Sequence, residues 1–584
     1  MAKKITVIVL FTGFILFIFL FLAQFSIVRA EQLEIEQVSE MPHNPEPYEI
    51  RNWKKVAQKY DEFIYDFDKQ GEFLPLIKWR ESKVNFDLKA PTLPSYVGGE
   101  GGGEAINVIA SVLGASLVGI DKSDQQGENW VLKQKEYFND ANEENVVLNH
   151  PRTKSGNSFW YEILPNILFF GLVDLYPETA KEKTPLMEDN KEMSMEQVMY
   201  KSAENFHQAA YEMGKKPEKP DFNWTSFDFK KKEPVYNGKW REPDSAAGIA
   251  WLQLAAYNKF GEDKFLRAAG WSLDFLEQID FNPMYEILLP YGAYTAARMN
   301  AEHGEDYNLE KIINWCFESS ETRSGWGIIN GNWGGFDVYG LQGSTTDSGG
   351  YAFAMNTFQM AGALLPIVRY DSRYAEAIGK WMLNLTNNAR LFYGNYHADK
   401  NQSTAFWDED PDNVIAYEGL RKRGPKNVSF ASKVSPYATG DAQRGEWAPT
   451  DLGLYGSSQV GILGGIVEKT EHEKILKLDL LKTDYFQEQA YPSYLFYNPY
   501  DQEKIVEIKV NQGEKNGNSG QSGNKDIYDT VSQKFLTKDI EQKAEIELAP
   551  QSAAVIVITP AGGELENTGD KKLVNDVVID YLSD

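Results

Sequence analysis

Between residues 50 and 68 the side chains of Trp53, Val56, Tyr60, Phe63, Ile64 and Phe67 recur at spacings of three, four, three, one and three. That spacing predicts one amphipathic helix. Gly71 ends it, and residues 72–97, where proline interrupts short apolar runs, predict irregular chain wrapped on a larger body. From there to about residue 483 one pattern repeats: an apolar helix, a short turn and a second helix. Six segments form the more apolar member of each pair, beginning near Glu104, Ser158, Asp244, Asn282, Asp347 and Asp451. They are small and apolar on nearly all sides, as expected of helices enclosed by an outer layer. The segments that follow them are amphipathic and suit an outer ring: Lys264–Glu277, Leu309–Phe317, Arg373–Leu385 and Glu473–Leu481. Two inner segments share a phrase, Tyr161-Glu162-Ile163-Leu164-Pro165 and Tyr285-Glu286-Ile287-Leu288-Leu289-Pro290, which points to an internal repeat.

The period then changes. Tyr494–Tyr497, Ile505–Val510, Ala544–Leu548 and Ala553–Ile558 are short β-rich runs separated by turn-forming stretches, and they predict a small antiparallel β-sandwich. At the other end, Lys3 and Lys4 precede an uncharged apolar run from Ile5 to Val28. Its length suits a membrane anchor, whereas Val28-Arg29-Ala30 before Glu31 suits signal cleavage, and both readings stand. Either way the lysines stay inside and the rest is expected outside the cytoplasm, secreted or anchored through residues 5–28. The expected organisation is 1–30 signal or anchor, 31–100 N-terminal helix and wrap, 101–483 helical hairpins, 484–560 β-sandwich and 561–584 an acidic tail.

Six helical hairpins followed by a β-sandwich resemble the (α/α)6-toroid, or six-hairpin, superfamily of glycoside hydrolases and polysaccharide lyases, over roughly residues 100–560. The resemblance implies a mainly α fold with an added β domain. It also implies a cleft at the end of the barrel where inner-helix N-termini converge. Those termini leave free N–H groups and a partial positive charge that favour carboxylates and polar ligands.

Composition narrows the chemistry. The net charge of −26, without a long basic run, argues against nucleic acid as a partner. The lone Cys316, in an outer-helix pattern, allows no internal disulfide and no cysteine-rich metal site. No metal and no cofactor is expected. Glycosidic cleavage needs one carboxylic acid and a second carboxylate. In the loops before inner helices, Glu162, Glu242 and Glu286 are candidates for the acid, beside Asp244 and Trp240 as substrate contacts. Each has a plainer reading, Asp244 as a helix N-cap and the glutamates as first-turn residues favoured by the helix dipole.

The segment from Ser324 to Gly340 joins six glycines to Trp326, Trp333, Phe336, Tyr339 and Asp337. Flat rings beside an acid suit sugar binding, so Asp337 is favoured as base or nucleophile, with Trp326 and Trp333 as platforms. A glycine-rich turn with buried aromatics is the plainer reading. Asp347 and Tyr351 follow as further substrate contacts. The loops Tyr417–Arg421 and Thr439–Trp447, the latter with Asp441, suit the rim. His150 and His397 read as structural histidines that flank the cleft at most. The function expected is an exported glycoside hydrolase acting on an oligo- or polysaccharide that is neutral or weakly charged. The alternatives are a lyase using Tyr351, Tyr285 and His397, or a surface protein that only binds glycan. Glycan identity and oligomeric state have no signature in the sequence.

Overall fold

The computed structural model describes residues 31–100, 103–344, 349–424, 435–510 and 523–582. The principal helices are α1 (Trp53–Ile64), α2 (Ala105–Leu117), α3 (Phe159–Leu175), α4 (Met195–Ala210), α5 (Ser245–Phe260), α6 (Asp263–Gln278), α7 (Leu288–His303), α8 (Leu309–Phe317), α9 (Ala354–Leu364), α10 (Ala375–Asn388) and α11 (Val460–Ile466). Local signals set their limits. Asn52 and Asn308 cap α1 and α8, Ser194 and Gln197 form a capping box on α4, and left-handed Gly261 and Gly304 end α5 and α7.

The order of contact is α2, α3, α5, α7, α9, α11 and back to α2, which is a closed ring of six inner helices. Each of the six apolar segments read from the sequence supplies one of them. The inner helices bury almost every residue, as α2 does from Ala105 to Ala115 and again at Leu117. Closure needs two glycines. A Cβ on Gly461 of α11 would lie 2.2 Å from Cα of Gly114 on α2, so the first and last inner helices meet backbone to backbone. Leu113, Ile167, Trp251, Tyr291, Ile462 and Tyr485 fill the bore.

Outside the ring, α4 packs on α3 and α5, α6 on α5, α8 on α7 and α10 on α9. The segment Glu473–Leu481, expected as the last outer helix, instead forms a strand over Leu476–Asp479. The reason is a period of two: Leu476, Leu478 and Leu480 are buried and alternate with the partly exposed Lys477 and Asp479. The place of that helix is taken by α1, which packs on α11 and α2. The N-terminal helix is thus the outer partner of the last inner one rather than a separate wrap. The fold is an (α/α)6 toroid.

The β domain has a six-stranded antiparallel sheet, ordered Val467–Lys469, Leu476–Asp479, Ser493–Tyr497, Ala553–Pro560, Lys525–Asp529 and Lys534–Ile540. A two-stranded antiparallel sheet of Lys504–Lys509 and Lys543–Leu548 covers one face through Phe496, Val506, Ile508, Ile546 and Ile556. The other face meets the toroid at Gly379, where an added Cβ would lie 2.6 Å from that of Tyr497. The sandwich therefore begins earlier than residue 484. Within the expected tail, 561–584, the described residues up to 582 are not a simple tail: Leu565–Thr568, Lys571–Val574 and Val577–Tyr581 make a three-stranded sheet, and Tyr528 donates to Asp580 at 2.8 Å. Among the described residues no helix is long and apolar enough to cross a membrane, and the expected signal or anchor, residues 1–30, lies outside them.

Candidate active site

The residues just before the inner helices lie together at one end of the ring, most of them linked by direct contacts. Glu104 occupies the N-cap position of α2, with its carboxylate accepting from Ser95 Oγ at 2.7 Å and Asn149 Nδ2 at 3.0 Å. Tyr161, in the first turn of α3, stands edge-on to Trp160 at 4.2 Å and lies in the electrostatic field of Glu104, Glu286 and Glu242. Glu242 is fully buried. It accepts from Ser158 Oγ at 2.8 Å, Trp240 Nε1 at 2.8 Å and the Trp160 amide at 3.0 Å. Burial outweighs these bonds and pushes its carboxyl up to about 7.

Asp244 occupies the N-cap position of α5, yet its side chain does not cap that helix. It accepts instead from the Tyr285 amide at 3.1 Å, while its other oxygen is buried without a hydrogen-bond partner. Burial, and then the charges of Glu242 and Glu286, drives its pKa well above the carboxylate range. Glu286 precedes α7 with φ of +56°, a conformation that costs a non-glycine residue energy and is found concentrated at functional sites. Burial first, and then Glu242, pushes its pKa up to about 8, against opposing pulls from Tyr285 and Arg323. The Arg323 guanidinium lies 4.5 Å from the Tyr285 ring and 5.9 Å from that of Trp240.

Aromatic contacts lead onward, from Tyr285 to Trp326 at 5.7 Å, Trp326 to Phe353 at 6.3 Å, Phe353 to Tyr455 at 5.9 Å and Tyr455 to Tyr96 at 5.4 Å. Phe353 ends a short strand, Tyr351–Phe353, that pairs with Gly419–Arg421, itself paired with Tyr437–Thr439. This small sheet brings in Glu418, which accepts from Tyr96 at 2.9 Å, from Tyr455 at 2.5 Å and from the Asp441 amide. Burial raises the Glu418 pKa. Arg421 pairs with Asp441 at 2.5 Å and lies 5.1 Å from the ring of Tyr351, whose hydroxyl is buried without a hydrogen-bond partner. The Asp441 side chain is 31% exposed.

The structure therefore gathers Glu242, Asp244, Glu286, Trp240, Trp326, Tyr351 and Asp441 at one end of the ring, where the expected substrate contacts Asp244, Trp326 and Tyr351 are buried, as Glu242 is, rather than open to a ligand. It places three other expected residues differently. Glu162 is buried with its oxygens occupied by the amides of Gly156 at 2.7 Å, Asn157 at 3.2 Å and Phe227 at 3.1 Å, so it braces two loops. Asp337 sits in a hairpin, Asn332–Trp333 with Phe336–Asp337, and binds the Glu46 amide at 2.7 Å and Asn332 Nδ2 at 3.0 Å. It fastens the N-terminal segment to the body. Trp333 is buried in that same hairpin. The glycines that suggested a sugar-binding loop serve this turn. Asp347 lies outside the described residues.

Sequence reading missed Tyr96, Tyr161, Arg323 and Tyr455. A signal existed for Tyr161 and Tyr455, which stand at the starts of inner segments; Tyr96 and Arg323 lie in irregular chain. His397 donates from Nε2 to the Leu391 carbonyl at 2.7 Å. Cys316 is buried in α8 with its thiol directed to the Ile312 carbonyl. Among the described residues no group of three or more His, Cys, Asp or Glu side chains is placed to hold a metal ion.

No family model and no curated protein matches the chain. Solved structures that it resembles include the GH127 β-L-arabinofuranosidase Ara127N-Se from Geobacillus stearothermophilus T6, at 10% identity over 81% of this chain and 75% of that one, with a TM-score of 0.29. The endoglucanase CelQ from Clostridium thermocellum, complexed with cellotriose, gives 11% identity over 88% and 93%, with a TM-score of 0.33. An unsaturated glucuronyl hydrolase mutant from Streptococcus agalactiae gives 10% over 74% and 92%, with a TM-score of 0.34. Likenesses at this level assign neither substrate nor catalytic residues to this chain.

Proposed function

We propose that this chain is a glycoside hydrolase that works at the mouth of the toroid, with Glu286 as general acid and Asp441 as the second carboxylate. The observation that carries the reading is Glu286 itself. It is a partly buried carboxyl in a strained backbone position, held up to about 8, and so protonated at neutral pH as a general acid must be. Asp441, ion-paired to Arg421 and partly exposed, supplies a carboxylate on the same side of the ring. Tyr161, Tyr285 and Trp240 offer exposed or partly exposed flat faces on which sugar rings stack. The proposed substrate is a neutral or weakly charged glycan, in keeping with the concentration of acids at the mouth. The apolar run at residues 5–28 supports action outside the cytoplasm, secreted or anchored.

Elimination at a uronate is the weaker reading. It calls for an ionisable tyrosine base, and the Tyr285 hydroxyl is pushed above its ordinary value by burial and by Glu286, while His397 is tied to a carbonyl. A screen of glycans that follows both new reducing ends and unsaturated-uronate absorbance separates the two chemistries. Hydrolysis predicts reducing ends alone, with Glu286→Gln and Asp441→Asn each lowering turnover by about 10²-fold or more. Undiminished turnover in Glu286→Gln, or appearance of the uronate signal, would sink the reading.

A further inference from the structure

A cavity of about 160 Å³ opens beside the mouth, and its lining includes Glu104, Leu148, Asn149, Ser158, Tyr161 and Glu162. Its floor is closed: Leu148 is 1% exposed, Asn149 5% and Glu162 2%. Its rim is open, with Tyr161 42% exposed and Lys154 and Asn157 at the surface. At about 10–15 Å³ for each water-sized atom, the volume takes on the order of a dozen heavy atoms, which is one sugar ring. The cavity shares a wall with the acids: Ser158, part of its lining, donates to Glu242 at 2.8 Å, and Tyr161 lies in the field of Glu286 and Glu242.

The lining chemistry suits a sugar. Tyr161 presents an exposed ring that Trp160 holds edge-on. The Glu104 carboxylate, fixed by Ser95 and Asn149, retains lone pairs for sugar hydroxyls, and Asn157 and Lys154 bring donors to the rim. A through-going groove would let a polymer cross the site, whereas a floored cavity of one-ring size stops it.

We infer that this cavity is the subsite for a single neutral terminal sugar, stacked on Tyr161, so that the enzyme removes residues one at a time from chain ends. The inference rests on the hydrolase reading for its catalytic half, but the binding half is testable separately. Calorimetry with methyl glycosides of glucose, galactose, xylose and arabinose, and with their di- to hexasaccharides, measures it directly. At least one methyl glycoside binds, its hexasaccharide binds within about threefold of it, and Tyr161→Ala weakens both about tenfold while Tyr161→Phe does not. Tyr161 is exposed, so these variants retain the fold. The assignment is overturned if no methyl glycoside binds, if the hexasaccharide binds over about a hundredfold more tightly, or if Tyr161→Ala leaves affinity unchanged. On any glycan that is turned over, the earliest products are monosaccharides; early mixed oligosaccharides overturn the end-cutting mode. Unaltered turnover in Glu286→Gln, with methyl-glycoside binding present, would remove the catalytic reading and leave the subsite standing.

Discussion

The hydroxyl of Tyr96 donates to Glu418 Oε1 at 2.9 Å, joining residues separated by 322 positions in the chain. Tyr455 meets the same oxygen at 2.5 Å, so one buried carboxylate fastens the N-terminal wrap, the rim sheet and the last inner segment. Replacing it by alanine leaves the two buried hydroxyls only each other, 3.3 Å apart, and removes the partner of the Asp441 amide. Glu418→Ala is expected to lose about 3 kcal/mol of stability and Tyr455→Phe about 1 kcal/mol, measured by denaturant unfolding. Equal losses in the two variants would show that Glu418 holds nothing beyond Tyr455.

Activity is expected to fall on the alkaline side near pH 8, where Glu286 gives up its proton. Arg323 carries a charge that lowers the Glu286 pKa, so Arg323→Met moves that limb to higher pH. A pH–rate profile of kcat/KM for both proteins checks the sign, and a limb that moves toward acid would contradict it.

Stability should also depend on these acids. Glu242 and Glu286 titrate near 7 and 8 in the folded protein, against an ordinary value of 4.5. Groups raised in this way contribute stability that is complete below 4.5 and is lost as pH rises through the folded values. Tm is therefore expected to decline between pH 5 and pH 9, and the double variant Glu242→Gln with Glu286→Gln to show a shallower decline.

Ring closure gives a third stability test. Gly461→Ala places a methyl group inside the backbone of α2 and is expected to cost about 3 kcal/mol. Gly270→Ala, on outer helix α6, meets only the Tyr307 hydroxyl at 3.4 Å and serves as its near-neutral control. A comparable melting temperature for the two variants would mean that α2 and α11 separate easily.

At the junction of toroid and β domain, Asp484 is fully buried. It accepts from Arg369 at 2.7 Å, Tyr294 at 2.5 Å and Tyr370 at 2.9 Å. Asp484→Ala leaves Arg369 buried without this partner and is expected to cost about 3–5 kcal/mol in calorimetric unfolding.

The six inner helices were legible because each lies in a long segment of small and apolar residues, a signal that tertiary context rarely reverses. The last hairpin was not. Its outer helix comes from the other end of the chain, and Leu476, Leu478 and Leu480 fit a strand better than the helix assigned to them. The site divides in the same way. Glu242, Asp244 and Glu286 stand where inner helices begin, and position alone reached them. Asp337 stands out in the sequence by its glycine and tryptophan neighbours, which signal a turn as readily as a platform. The shared phrase around Glu162 and Glu286 also misleads: the first is helical and the second is left-handed at φ +56°, so like sequences set unlike carboxyls.

That α1 is the outer partner of α11 bears on how the protein is made. The helix that leaves the ribosome early has no completed seat until some four hundred further residues have emerged. Until then its apolar face stays uncovered on that side, and the nascent chain is an arc with two sticky ends. Contacts within neighbouring hairpins are local and form fast, whereas the meeting of the two extremities is non-local and is expected to be slow.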